Sequence, residues 1–316
     1  MKKLLVTFIF SLILLAQAQD IIIGSGSTTG VYFPIATQMA ARLESALGLE
    51  VEVWESRDDR GGGSVNNIRY IQDGNIQLAL AQNDTSFYAL QGEGISAFRE
   101  PVDDIRGLAA LYFEPVHVAA RADADISSIA DLAGKRVVVG GLGTGVQQSA
   151  RQVLEAYGLD FSDLTAIEES PGRENIPYFV DGSVDAVFYT AGLGNTYIAD
   201  LAEATDIVLL PVEAEQVQML STQYPYYLGF NIREGVYENV VETPTVTVLA
   251  TLIADKDLDD DLVYDIMQAI FGDIDVLQGM NINLRRDFSY QRALRALPIP
   301  LHPGAERFYR NLGIIR

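Results

Sequence analysis

The chain has 316 residues, a formal net charge of −21, no cysteine and two histidines. Without thiols there are no disulfides, no lipid-bearing cysteine and no thiolate metal site, and His117 and His302 alone make an imidazole-rich centre a poor expectation. So acidic a surface repels nucleic acid and anionic lipid, and neither is an expected partner.

The chain opens with MKKLLVTFIFSLILLAQA, which has two lysines, an apolar run from Leu4 to Leu15 and a closing Ala16-Gln17-Ala18. This is the pattern of a cleaved signal peptide over residues 1–18, so an exported, periplasmic protein is expected. The apolar run is about twelve residues, short of the roughly 18–20 that a membrane-spanning helix needs. The remaining length suits two domains of ordinary size.

After the leader, Ile21 to Ile23 form a short apolar strand, and SGSTTG leads into VYFPIATQMAARLESALGL. There Tyr32, Ile35, Ala36, Met39, Ala40, Leu43 and Leu47 recur at helical spacing, with Gly48 as the cap. A second strand, VEVW, completes a βαβ unit. The same grammar returns at KRVVVGGLGTGVQQSARQVLEAYGL, with a strand over Val137–Val139, a glycine-rich loop and a helix from Val146 to Tyr157.

A further duplication lies inside this scheme: NIRYIQDG begins at Asn67 and NIPYFVDG at Asn175, 108 residues later. Each copy is expected to be a short helix (Ser64–Gln72 and Arg173–Val180) ending at Asp-Gly, where glycine accepts the left-handed backbone. Each is followed by an apolar strand, IQLALAQND or VDAVFYTAG, and then another helix. The chain therefore reads as two similar α/β lobes. LAALYFEPVHVAAR is expected to leave the first lobe and TVTVLATLI to return to it. That gives lobe 1 as residues 19–118 and 245–316, lobe 2 as 119–244, and a cleft between them.

In open α/β sheets ligands gather at the carboxyl ends of strands. Four loops lie there, Ser25–Gly30, Gln82–Thr85, Gly141–Gly145 and Tyr189–Gly194, all rich in small or neutral residues. Two sit directly before helices, whose N-termini offer free N–H groups and about half a positive charge. Such ends facing across a cleft would grip a carboxylate without basic side chains. Gln82 and Asn83 offer amides to a ligand. Asp84 caps the next helix or pairs an ammonium, with the cap favoured. Arg173 is either a bidentate carboxylate partner or a surface arginine. Tyr32, Tyr88, Tyr189 and Tyr226 either line the cleft or pack in the core.

Catalytic readings fare worse. GSGSTT lacks the third glycine of a dinucleotide fingerprint, no Gly-Lys-Ser/Thr phosphate loop occurs, and no G-x-S-x-G elbow is present. His117 alternates with Val116 and Val118 as a structural strand residue does, and His302 reads as a surface loop residue. Asp58-Asp59, Asp103-Asp104 and Asp259-Asp260-Asp261 read as solvated faces or helix caps. No enzyme activity, cofactor or metal is expected.

The stretches IIIGSGSTTGVYFPIATQMA, LALAQND, YFEPVHVAARAD, ADLAGKRVVVGGLGTGVQQSARQVLEAYGL, YFVDGSVDAVFYTAG and PIPLHPGAERFYR resemble, in order, the TAXI solute receptors of TRAP transporters. The resemblance runs from about Ile21 to the C-terminus. It implies a type II periplasmic-binding-protein fold, α/β with two lobes, each a mostly parallel sheet flanked by helices. It also implies capture of a small carboxylate or amino acid such as glutamate, glutamine or 2-oxoglutarate, and its delivery to a membrane permease by a monomeric receptor. Carried over, the ligand contacts are Ser25, Ser27, Thr28, Thr29 and Tyr32; Gln82 and Asn83; Gly143, Thr144, Gly145 and Val146; and Ala191 and Gly192. AQND, SGSTTG and SPGREN depart from the commoner family wording beside the cleft, which leaves the ligand open. The alternatives are a periplasmic ligand sensor signalling to a membrane partner and a secreted enzyme.

Overall fold

The computed structural model describes residues 20–28, 30–55, 63–95, 97–142, 144–169, 171–295 and 297–316. The expected leader (1–18), Asp58-Asp59 and two expected ligand contacts, Thr29 and Gly143, lie outside the described residues.

The first elements are β1 (Asp20–Gly24), α1 (Tyr32–Leu47), β2 (Glu50–Trp54), α2 (Gly63–Gln72), β3 (Leu78–Gln82), α3 (Asn83–Gln91) and the long strand β4 (Ile105–Arg121). Then come β5 (Arg136–Val138), α4 (Gly145–Ala156), β6 (Thr165–Ile167), α5 (Ile176–Val180), β7 (Ala186–Thr190), α6 (Thr196–Ala204), β8 (Ile207–Leu209), α7 (Ala214–Gln223) and β9 (Leu228–Ile232). A second long strand, β10 (Thr243–Asp255), is followed by α8 (Asp260–Phe271), α9 (Ile274–Met280), α10 (Ile282–Asp287), α11 (Tyr290–Arg295) and α12 (Pro303–Asn311).

The strands run in the order β2-β1-β3-β10-β4-β7-β5-β6, with β8 on β4 and β9 on β10. β1 is parallel to β2 and β3, and β5 is parallel to β6 and β7. The long strands join the two groups. β4 pairs antiparallel with β10 from Ile105 to Pro115, then with β7 and β8 from Val116 to Arg121. The fold is α/β with a mixed sheet.

Helices cover both faces of each group, which is why LALAQ and AVFYT are buried along their whole length rather than alternating. On one face of the first group α1, α8 and α12 pack in a single apolar cluster, with the C-terminal helices returning to it as the sequence suggests. The spacing along α1 is realised: Tyr32, Ile35, Ala36, Met39, Ala40 and Leu43 are buried, and Gly48, at φ 69°, ends the helix by donating its N–H to Glu44 O. Asp259 caps α8 by accepting from the N–H groups of Asp261 and Leu262. His302 departs from expectation. It is fully buried and caps α12 through Nδ1, which accepts the Gly304 N–H, so the two flanking prolines mark a helix start rather than a surface loop.

The duplicated eight letters occupy equivalent places. Adding 108 to the numbers of β3 gives those of β7. In each copy the third-last backbone carbonyl of the tyrosine's turn closes the same loop: Tyr70 O accepts from Ile76 N and Tyr178 O from Val184 N. The second copy enters through a 3-10 turn, Arg173–Asn175, before α5. Gly74 and Gly182 both adopt the left-handed conformation, at φ 71° and 81°. A methyl on Gly74 would point into open space, whereas one on Gly182 would meet the Arg121 guanidinium. Gly74→Ala is therefore expected to cost about 1–2 kcal/mol in urea unfolding, the backbone penalty alone, and Gly182→Ala more than that.

Candidate functional site

The loops that follow the parallel strands converge on one cavity of about 100 Å³. It is lined from the first group by Gly26, Ser27, Gly30, Val31 and Tyr32, and by Gly63 and Ser64 at the head of α2. Gln82 at the end of β3 and Glu114 on β4 complete that side. Opposite them stand Thr144, Gly145 and Val146 at the head of α4, Pro171, and Tyr189, Thr190 and Ala191 from β7 onward. The two sides touch. A Cβ on Gly145 would lie 1.9 Å from Gln82 Oε1, one on Gly63 3.3 Å from Thr144 Cγ2, and one on Gly30 3.2 Å from the Tyr189 hydroxyl. Glycine at these points is what lets the loops meet.

Local sequence builds each wall. Asn67, the first letter of the first repeat, is buried and donates through Nδ2 to Ser25 O (2.9 Å) and Leu80 O (2.8 Å), tying the β1 loop to β3. Gly24 permits this, because a Cβ there would lie 2.9 Å from Asn67 Oδ1. The equivalent Asn175 accepts the Gly172 N–H and donates to Glu169, and so fixes the turn that carries Pro171. Ser64 Oγ accepts the Gln82 N–H at 3.0 Å. Thr144 caps α4, accepting from Gln147 N and donating to Gly141 O. With the threonine oxygen on Gln147, the Gly145 and Val146 N–H groups remain at the cavity edge, where a helix N-terminus favours an anion.

Eight of the residues singled out in the sequence line the cavity: Ser27, Tyr32, Gln82, Thr144, Gly145, Val146, Tyr189 and Ala191. Others do not. Ser25 is buried and turned to β2, its Oγ donating to Trp54 O at 2.7 Å. Thr28 is exposed and outside the lining. Asn83 accepts the Leu249 N–H and so ties α3 to β10, lining instead a separate cavity with Phe87 and Phe113. Gly192 packs against Asn283 and Tyr112 behind the wall. Arg173 is two-thirds exposed and pairs with Asp200 at 2.7 Å, which is the surface reading of that residue. Asp84 is not a helix cap: Gln82 holds that position, and Asp84 Oδ1 accepts from the Thr85 backbone and hydroxyl inside the first turn. Tyr88 and Tyr226 lie in a buried hydroxyl network with Gln152 and Tyr227, not in the cavity wall.

The residue that pattern reading missed is Glu114. It is 2% exposed, lines the cavity, and accepts a hydrogen bond from the Tyr32 hydroxyl at 2.8 Å. Burial pushes its carboxyl up to about 8; the Tyr32 bond opposes this and the Asp84 charge adds to it. Asp84 is itself pushed up to about 7 by burial. The signal was one carboxylate in the otherwise uncharged stretch from Leu108 to Val116 of that strand. No lysine or arginine is among the described lining residues. Gln82 Oε1 and Thr190 Oγ1 are buried without a hydrogen-bond partner.

His117 is fully buried, with Nδ1 against Tyr189 O (3.1 Å) and Nε2 against the Tyr237 hydroxyl (2.9 Å), and burial lowers it to about 4. Both ring nitrogens are engaged away from the cavity, the structural role expected of it. Among the described residues no group of three or more His, Cys, Asp or Glu is placed to hold a metal ion, and no helix is long and apolar enough to cross a membrane.

The model of the NMT1-like family matches residues 23–313, and the chain belongs to that family. Solved structures similar in fold include a putative L-cystine ABC transporter from Listeria monocytogenes, with 14% identity, a TM-score of 0.53, and 86% of this chain and 98% of that one covered. Another is MatC from Rhodopseudomonas palustris with bound malate, with 15% identity, a TM-score of 0.56, and 94% and 99% coverage. A third is PhnD1 from Prochlorococcus marinus in complex with methylphosphonate, with 12% identity, a TM-score of 0.56, and 95% and 100% coverage. These likenesses establish the periplasmic-binding-protein type of fold.

The buried carboxyls give the stability a definite pH dependence. Folded Glu114 and Asp84 titrate near 8 and 7, against ordinary values of 4.5 and 3.8. Between those limits the folded state binds more protons than the unfolded one, so stability falls as pH rises. Urea midpoints at pH 7.5 and 9, a range above the window from about 4 to 6.5 in which His117 affects stability, are expected to drop in the parent and to drop less in Glu114→Gln.

Proposed function

We propose that this chain is an extracytoplasmic solute receptor of a TRAP-type transporter, which closes on a small carboxylate or amino acid and presents the closed form to a membrane permease. The observation that carries the reading is the convergence of four strand-end loops free of basic residues, from both groups of strands, on one small cavity. A cavity of about 100 Å³ suits a solute of a few heavy atoms and is far below the roughly 300–1,000 Å³ of sites for drug-sized ligands. The TRAP assignment rests on the TAXI-like stretches, and export rests on the leader-like N-terminus. The neighbours named for L-cystine, malate and methylphosphonate are consistent with a small polar cargo.

The mechanism is a population shift: a solute touching both walls stabilises the closed arrangement by as much as its contacts differ between open and closed forms. A thermal-shift screen across carboxylates and amino acids should find at least one solute that raises the unfolding temperature in a concentration-dependent way. No response to any small solute would sink the receptor reading. Gly145→Ala should weaken that binding about tenfold or more, since its methyl collides with Gln82 on closure. Its unfolding temperature without solute should stay close to the parent's.

A further inference from the structure

A second cavity lies on the other side of β4. It measures about 640 Å³, against about 100 Å³ for the strand-end cavity, and falls within the roughly 300–1,000 Å³ of sites for drug-sized ligands. Phe113 lines this second cavity and Glu114 the first, as the alternation of side chains along a strand requires. The chain divides in the same way at the end of β3. Gln82 faces the first cavity, and Asn83, whose Oδ1 accepts the Leu249 N–H, lines the second. The two cavities share no lining residue.

The walls of the second cavity are mostly apolar. Phe87 on α3 meets Tyr226 there, their ring centroids 5.6 Å apart. Leu249 on β10, Leu228 on β9 and Leu297 after α11 complete the surface, and Leu228 is 46% exposed. The charged side chain among the described lining residues is Arg292. Its guanidinium lies over the Phe113 ring, 4.9 Å from the centroid, and donates one N–H to Asp287 O. An arginine carries five N–H donors and keeps its charge at any working pH. Among the described residues no carboxylate forms a salt bridge with it, although the chain has 43 acidic residues. The Asp287 carboxylate is committed elsewhere, to Arg286 and to the Phe113 N–H.

We infer that this cavity is a second ligand site, which takes a monocarboxylate with an apolar body. The carboxylate pairs with Arg292, and the body lies against Phe87, Phe113 and Leu228. A cation would face the guanidinium, and a polyhydroxylated solute would leave hydroxyls unpaired against apolar walls. A neutral molecule of the same shape gains the walls alone. Because the two cavities are lined by different residues, the site stands whether or not the strand-end cavity receives a solute.

The test is calorimetric titration of the full chain at pH 7.5 with two matched pairs, octanoate against 1-octanol and 2-naphthoate against 2-naphthol. In at least one pair the carboxylate is expected to bind about tenfold tighter than its neutral partner, the worth of one charge-assisted hydrogen bond. Arg292→Gln should abolish that preference and leave the neutral partner's affinity within about twofold. Leu228→Trp, at an exposed position on a strand that pairs only with β10, should fill the cavity and weaken both members tenfold or more. Binding of neither carboxylate, a preference that survives Arg292→Gln, or affinities untouched by Leu228→Trp each overturn the inference.

Discussion

The antiparallel pairing of β4 with β10 is the constraint on which the rest of the molecule depends. β10 pairs with β3 of the first group and β4 with β7 of the second, so the strand-end loops at the cavity are anchored, through their sheet neighbours, to the same two segments of backbone. Polar side chains reinforce this crossing. Thr245 donates to Val116 O, Thr251 to Ala81 O, and Asn83 accepts from Leu249 N, each between elements distant in sequence. Glu114 sits on this crossing opposite Val248, directly before Pro115. A residue before proline is confined to extended backbone, so the glutamate's direction is set locally as well as by the ladder. Pro115 brings no N–H of its own, which leaves the strand one donor short at the point where it passes from one group to the other.

Around that crossing the duplicated segments do the same work twice. The leading asparagine of each copy satisfies backbone groups of the loop beside it, and the closing glycine turns the chain into the strand that carries the next cavity residue. Buried carbonyls and amides left unpaired cost more than the net worth of an ordinary hydrogen bond. A short helix with one asparagine in the right place is therefore an economical way to hold an irregular loop still. The cavity walls are thus fixed by side chains that never touch it. That is why Asn67 and Asn175 stand at corresponding positions, while the residues facing the cavity differ: Gln82 on one side, Thr190 on the other.

This division also explains what could be read in advance. Periodicity, glycine placement and the repeat are properties of backbone and burial, so α1, the two βαβ openings, the long connecting strands and the converging loops were all legible. Residues whose role depends on a distant partner were not. Asn83 belongs to β10 rather than to the cleft because Leu249 lies beside it, and Arg173 belongs to Asp200. Glu114 was hidden for the opposite reason. Pattern reading treats a lone charge in an apolar strand as a blemish, yet a carboxyl kept in such a place against its desolvation cost is the residue in the segment most in need of an explanation.

The charge distribution completes the picture. Outside, the chain carries a formal −21, but at an ionic strength near 0.15 M exposed charges are screened beyond about 8 Å. The surface therefore sets solubility and non-specific contacts more than it sets what enters the cleft. Inside, no basic side chain is among the described lining residues, so electrostatics along that wall is a matter of individual atoms: one carboxyl, two polar groups without partners (the Gln82 amide oxygen and the Thr190 hydroxyl) and one helix end. Selectivity in such a site follows from satisfying each of them in one pose, because an acceptor left bare in low dielectric penalises the wrong solute more than a bonded one rewards the right solute. Shape adds to this discrimination, because the contact between Gln82 and Gly145 leaves no room for a further group between the two walls.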